Sequence, residues 1–239
     1  MSPPLLERAN AGLHAHVAAE LMARVPNREA RILDLGCGTG AFLGRLATMG
    51  YCALDGIDIA LPGEPVAGAT LHECDLDRTW PFEAESFDAV VAIEVIEHVE
   101  NMGLVLNELA RVLKPDGFTL ITTPNVHSVE ARTRWLIRSQ LKQFDELGDP
   151  THLSPVFLFP FERIAGRHGL RLTRHWGHPL DGSSPTSRPA LRWLASGLRI
   201  LGLHAHPGGD QLCMVLHKAR AGDQTSSFDA KRRAVTAHY

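Results

Sequence analysis

The sequence predicts an α/β protein built on one seven-stranded, mostly parallel sheet, with helices on both faces and a C-terminal antiparallel hairpin. Two observations carry that prediction. Short apolar runs alternate with longer stretches whose apolar residues recur at helical spacing, the signature of strands joined by crossover helices. The first of these runs, Ile32-Leu33-Asp34-Leu35, breaks into Gly36, Gly38 and Gly40. Glycines directly after a buried strand let the backbone turn sharply and approach a ligand.

In chain order, Leu13, Val17, Leu21 and Val25 stand four apart and predict a leading helix within residues 1–28, ending at Pro26-Asn27. His14 and His16 lie beside that stripe and read as solvated. After the glycine turn, Phe42, Leu43, Leu46 and Met49 predict a helix stopped by Gly50. A second strand runs from Cys52 to Ile57 and ends at Asp58. The following Leu61–Gly68 is too rich in proline and glycine for a long crossover helix. Leu71–Leu76 reads as a third strand leading into a loop, and Asp77 reads as a surface charge, with a site role in place of Asp75 as the alternative. Trp80 and Phe82 in the next loop either wall a pocket or bury against the sheet.

Ala89–Ile93 is the fourth strand and runs into Glu94-Val-Ile-Glu97-His98-Val. Glu97 and His98 are expected to open a helix with the stripe Leu104, Leu106, Leu109 and Val112-Leu113, closed by Lys114–Gly117. In that place Glu97 would offset the helix dipole. Phe118–Thr122 is the fifth strand, and Asn125 follows as either an acceptor-orienting group or a turn residue. An insertion at about 126–155 exceeds an ordinary connection and is expected to hold its own helix over the site. Its Arg132, Arg134, Arg138 and Lys142 alternate with Trp135, Leu136, Ile137 and Leu141 and predict a basic amphipathic helix. A helix over Phe161–Gly169, a strand over Leu170–Trp176, a polar loop at 181–185, an amphipathic run at 191–201 and a last strand over Gln211–His217 complete one domain of residues 1–217. The tail 218–239 is polar and expected to be disordered.

Composition narrows the function. Lysine plus arginine number 24 against 27 aspartates plus glutamates, a net charge of -3, so bulk capture of nucleic acid is not expected. Cys37, Cys52, Cys74 and Cys213 form no CxxC pair, which suits buried thiols in a reducing compartment. With no signal peptide and no apolar run long enough to span a bilayer, the expected location is the cytoplasm.

Strand, glycine turn and helix N-terminus together make a nucleotide site. Gly36-x-Gly38-x-x-Ala41 also satisfies the dinucleotide fingerprint, so a nicotinamide-dependent dehydrogenase is one alternative. Asp34 separates the two readings. A pyrophosphate gains nothing from a carboxylate in the strand, whereas a cationic sulfonium and ammonium would.

Asp34-Leu-Gly-Cys-Gly-Thr-Gly40 resembles the first motif of class I S-adenosylmethionine-dependent methyltransferases, and Glu94-to-Val99 resembles the E-V-x-E-H-V segment of quinone-biosynthesis and natural-product members. The resemblance implies a Rossmann-like fold and methyl transfer from S-adenosylmethionine, with S-adenosylhomocysteine as product and no metal. It implies a cofactor set of Asp34, Gly36, Cys37, Gly38, Gly40, Asp58, Ile59, Asp75, Leu76, Ile93 and Glu94. Within that set Asp58 would hold the ribose hydroxyls, Asp75 the adenine amino group and the Leu76 N–H a ring nitrogen.

His152, in Asp149-Pro-Thr-His-Leu-Ser, and His98 are the candidate bases for an acceptor hydroxyl. The acceptor is expected to be a small-molecule, sugar, quinone-like or lipid-linked compound, with an anionic group as one reading of the basic helix. Peripheral membrane contact and a homodimer through the 191–201 run are further expectations. Glu94, Glu97, His98 and His152 also resemble, in part, the metal ligands of small-RNA 3′-terminal 2′-O-methyltransferases, whose further histidine-rich stretch has no match here. A non-catalytic S-adenosylmethionine-binding module is the remaining alternative.

Overall fold

The computed structural model describes residues 7, 9–146, 148–179, 193, 197 and 209–219. Its elements are α1 (Leu13–Arg24), β1 (Arg31–Leu35), α2 (Ala41–Thr48), β2 (Ala53–Asp58), β3 (Ala69–Glu73), β4 (Phe87–Ile93), α3 (Met102–Val112), β5 (Leu113–Pro124), α4 (Val129–Arg138), α5 (Leu158–Arg167), β6 (Leu170–His178) and β7 (Gln211–Lys218). The strands form one sheet in the order β3-β2-β1-β4-β5-β7-β6. The first five are parallel, and β7 pairs antiparallel with both β5 and β6. The strand order reverses between β1 and β4, so a crevice opens at their C-terminal ends, where open α/β sheets bind ligands.

Alternation along the strands divides the core in two. Leu33, Leu35, Phe87 and Val90 face α3 and α5, whose Leu106, Leu109, Phe161 and Ala165 cover that side. Ile32, Leu54, Ala89 and Val91 face the other way, under Leu13, Val17 and Leu21 of α1 and Phe42, Leu43 and Leu46 of α2. The expected helix-free link between β2 and β3 is present. Trp80 and Phe82 are buried in the core on the α3 side. Among the described residues no helix is long and apolar enough to cross a membrane.

Several expectations change. The helix after β4 does not begin at Glu97-His98. Residues 95–99 form a turn, and α3 starts at Met102 because the Asn101 side chain accepts from the Leu104 N–H. Asp77, expected as a surface charge, accepts from the Glu100 and Asn101 N–H groups at 2.9 and 2.7 Å and so anchors that turn. Lys114–Gly117 belongs to β5 instead of closing α3; the Lys114 ammonium donates to Asp88 at 2.7 Å. Lys218 likewise ends β7, donating to the Leu113 carbonyl.

Of the four basic residues of the insertion, Arg132 and Arg138 are exposed, as a solvated basic face implies, and the other two turn inward. Arg134 pairs with Asp145, and Lys142, buried just beyond α4, lies between Glu130 and Asp210. Trp135, Leu136 and Ile137 are exposed as well, between Arg132 and Arg138. Asn125 is a buried tie: its amide donates to the Gly209 carbonyl at 3.1 Å and its backbone N–H to the Asp210 carbonyl at 2.7 Å. The predicted loop at 181–185, the tail beyond 219 and the 191–201 run, Trp193 and Gly197 apart, lie outside the described residues.

Candidate active site

The crevice above β1 and β4 holds a cavity of about 940 Å³. Every candidate site residue except Gly40 and Glu97 lines it. Gly40 instead caps α2 at a φ of 75°, and a Cβ there would collide with Val66. Gly38 is the reverse case, because a Cβ would meet no protein atom and the space beside it stays open for a ligand. Its N–H donates to the Asp58 carboxylate at 2.8 Å, which links the glycine turn to the end of β2.

Asp34 is buried on the cavity floor at 3 % exposure. Burial and the nearby Asp58 push its carboxyl well above the ordinary range. Burial, with Asp34 and Asp58 beside it, also pushes the Cys37 thiol up to about 12, so it is an inert lining group. On the rim, Ile59 is 68 % exposed, an apolar surface open to a flat ring. Asp75 accepts from the Asp77 N–H at 2.9 Å and pairs with Arg78.

The other end of the cavity is built by β4 and the insertion. Glu94 follows β4 with a φ of 53°, a left-handed conformation uncommon for a non-glycine residue. Its N–H donates to the Thr122 carbonyl and hydroxyl, and the Thr122 hydroxyl donates to its carboxylate at 3.2 Å. Burial outweighs that bond, with Asp210 adding to it, and raises Glu94 to about 7.

The Glu97 carbonyl accepts from the Leu153 and Ser154 N–H groups at 2.8 and 2.9 Å. This contact pins the end of the insertion onto the turn after β4 and brings His152 against His98, ring centroids 4.7 Å apart. The His152 Nδ1 donates to the Gln143 carbonyl at 2.8 Å and the His98 Nδ1 to the Thr151 carbonyl at 3.1 Å. A carbonyl can only accept, so Nδ1 carries a proton in each ring and Nε2 is the atom left to face the cavity chemistry. Burial lowers the His98 pKa and favours its neutral form.

Beneath them the Glu97 side chain is fully buried, and neither carboxyl oxygen meets a partner at hydrogen-bond geometry. Thr123 is close enough to favour the charged form, but burial and Glu94 dominate and hold the carboxyl well above its usual range. Glu97, His98 and His152 each offer a ligand atom, all within 4.8 Å of one another.

The chain matches the family described as a methyltransferase domain over residues 8–196. It belongs to that family. This methyltransferase domain is 37 % identical over 107 residues to the mitochondrial ubiquinone biosynthesis O-methyltransferase of Rattus norvegicus, a match covering 40 % of this chain and 31 % of that protein. The match therefore spans less than a third of the rat protein's length. A ubiquinone biosynthesis O-methyltransferase of Azorhizobium caulinodans is 30 % identical over 185 residues, covering 70 % of this chain and 68 % of the relative. A SAM-dependent methyltransferase structure from Archaeoglobus fulgidus superposes with a TM-score of 0.58 at 20 % identity, over 86 % of this chain and 94 % of the other, and shows the same fold.

Some lining residues of this methyltransferase domain were not legible in the sequence. His14 is buried on α1 and faces the cavity instead of solvent. His16, half-buried, accepts from the Trp176 indole at 3.0 Å and stacks on His178. Gln143, Asp149 and Thr151 also reach the cavity, as does Asp77, the alternative to Asp75.

Proposed function

We propose that this chain transfers a methyl group from S-adenosylmethionine to a hydroxyl oxygen of a quinone-like phenol. One observation carries the reading: a single cavity has the glycine turn with Asp34 and Asp58 at one end and two imidazole Nε2 atoms at the other. The names of the ubiquinone O-methyltransferase relatives support the acceptor class.

The donor's sulfonium is already activated, so the protein's work is alignment, exclusion of water and removal of one proton. Asp34 balances the donor's positive charge and Asp58 holds its ribose. Ile59, Asp75 and Leu76 hold the adenine. Ile93 and Glu94 bound the space where donor meets acceptor. His152 Nε2, with His98 as its partner, takes the hydroxyl proton as the O–CH₃ bond forms and the S–CH₃ bond breaks. The exposed Trp135, Leu136 and Ile137 on α4 support a lipid-linked acceptor met at a bilayer surface. The free cysteines, two of them buried, suit a reducing compartment such as the cytoplasm.

A specific observation favours a second reading of the same pocket. A fully buried carboxyl group with neither oxygen at hydrogen-bond geometry, beside two imidazoles whose Nδ1 atoms are tied to backbone carbonyls, is a donor set that fits a divalent cation. Bound there by Glu97, His98 and His152, with Glu94 behind them, such an ion would lower the pKa of the acceptor hydroxyl.

Incubation with S-adenosylmethionine and a panel of catechols and hydroquinols tests both readings. The proposal expects a mono-O-methylated product by mass spectrometry, and the absence of any methylated product across the panel contradicts it. Activity that survives exhaustive chelation removes the cation. Activity lost on chelation and restored by added magnesium or zinc establishes it.

A further inference from the structure

An anionic acceptor was one reading of the basic residues of the insertion, yet none of Arg132, Arg134, Arg138 and Lys142 lines the cavity. Arg134 is taken up by Asp145, and Lys142 is buried between Glu130 and Asp210. What the acceptor end of the cavity does receive is the Asp149 carboxylate from the insertion, with Glu100 from the turn after β4 also on the lining. Asp34, Asp58 and Asp75 line the opposite end, and among the described lining residues there is no lysine or arginine.

From this arrangement we infer that the cavity discriminates by charge against its acceptor: it admits neutral or cationic hydroxyl compounds and rejects those carrying a carboxylate or phosphate near the reacting ring. The inference rests on the methyl-transfer reading, and it narrows the acceptor class that reading leaves open. The physics is ordinary. An anion entering the cavity gives up part of its hydration and meets the carboxylate of Asp149, whose charged form the Thr151 hydroxyl and N–H stabilise, and no guanidinium or ammonium among the described lining residues replaces the lost water. The donor brings a single net positive charge, and that charge is already engaged by Asp34. A neutral phenol meets no such penalty. A cationic substituent directed toward Asp149 gains from the same field.

Three probes with one ring make the test: catechol, its 4-carboxylate 3,4-dihydroxybenzoate, and its aminoethyl derivative dopamine. Each is titrated calorimetrically into protein saturated with S-adenosylhomocysteine, with chelator present so that no metal contributes. The expected order has dopamine at least as tight as catechol, and the carboxylate weaker than catechol by about tenfold or more, the factor a single close charge repulsion supplies. In the variant Asp149→Asn the gap between catechol and its carboxylate should shrink to about threefold or less.

If that variant does not fold, raising the salt concentration with the unmodified protein should narrow the same gap, because Asp149 is exposed and screened. A carboxylate that binds as tightly as catechol overturns the inference, as does a gap that neither the substitution nor salt can move. The two levels of claim separate in the first step of the experiment. Failure to bind S-adenosylhomocysteine sinks the methyl-transfer reading, whereas a loaded protein that prefers the carboxylate sinks only the charge selection.

Discussion

Replacing His152 by alanine should lower kcat by about two to four orders of magnitude, the usual contribution of a positioned base, while donor affinity stays within about threefold. The asymmetry follows from geometry. His152 reaches the cavity from the insertion, across from the glycine turn, and its Nδ1 is committed to the Gln143 carbonyl. Its Nε2 is thus the free basic atom, and nothing in the donor's binding depends on it. His98 contacts it at ring distance and has its own Nδ1 tied to Thr151. The variant His98→Ala should therefore cost less than His152→Ala if His152 is the base. Equal losses from both, together with sensitivity to chelation, would instead mark them as ligands of one ion. A His152→Ala enzyme within about fivefold of the parent rate would remove the base assignment.

The substitution Asp34→Asn is expected to raise the Kd for S-adenosylmethionine by about thirty- to a hundredfold, because it leaves a buried cation without its partner. The effect on S-adenosylhomocysteine should be smaller. Its sulfur is a neutral thioether, and only the ammonium remains to miss the carboxylate.

A pH dependence follows with a definite sign. In the empty cavity burial and Asp58 keep Asp34 protonated far above the usual range, and Glu94 titrates at about 7. A cation binds the ionised forms, so donor binding expels protons and its affinity rises as pH climbs through about 7. Calorimetry in buffers of different ionisation enthalpy should show that proton release in the parent protein and less of it in Asp34→Asn. Equal losses for the two ligands with unchanged proton release would mean that Asp34 acts only through the fold.

How far these residues were legible in the sequence differs from place to place, for physical reasons. The donor end was the readable part. A glycine turn after a strand imposes a backbone requirement that shows as residue type and spacing, and Asp34, Gly38 and Asp58 stand together in one cavity as that spacing implies. The pairing of His98 with His152 could be named but not located, since it depends on the Glu97 carbonyl capturing Leu153 and Ser154 from more than fifty residues away.

Other features were misread because local pattern competed with tertiary contact. Glu97-His98 ahead of an apolar stripe looks like a helix start, but Asn101 is the better cap and leaves Glu97 in a buried turn. Arg134 and Lys142 look like a solvated basic face because their partners Asp145, Glu130 and Asp210 carry no periodic signal. His14 did leave a trace: it precedes Ala18 by one helical turn on the buried side of α1, a spacing that a stripe drawn only through aliphatic residues passes over.

The central claim is that a carboxylate set into the strand before a tight glycine bend recognises a positively charged methyl donor. Calorimetric titration of the unmodified chain with S-adenosylmethionine, S-adenosylhomocysteine and NAD tests it most directly. The account predicts one-to-one binding of the first two at about micromolar affinity and no heat from the third. Binding of NAD with none of either sulfur compound would contradict it.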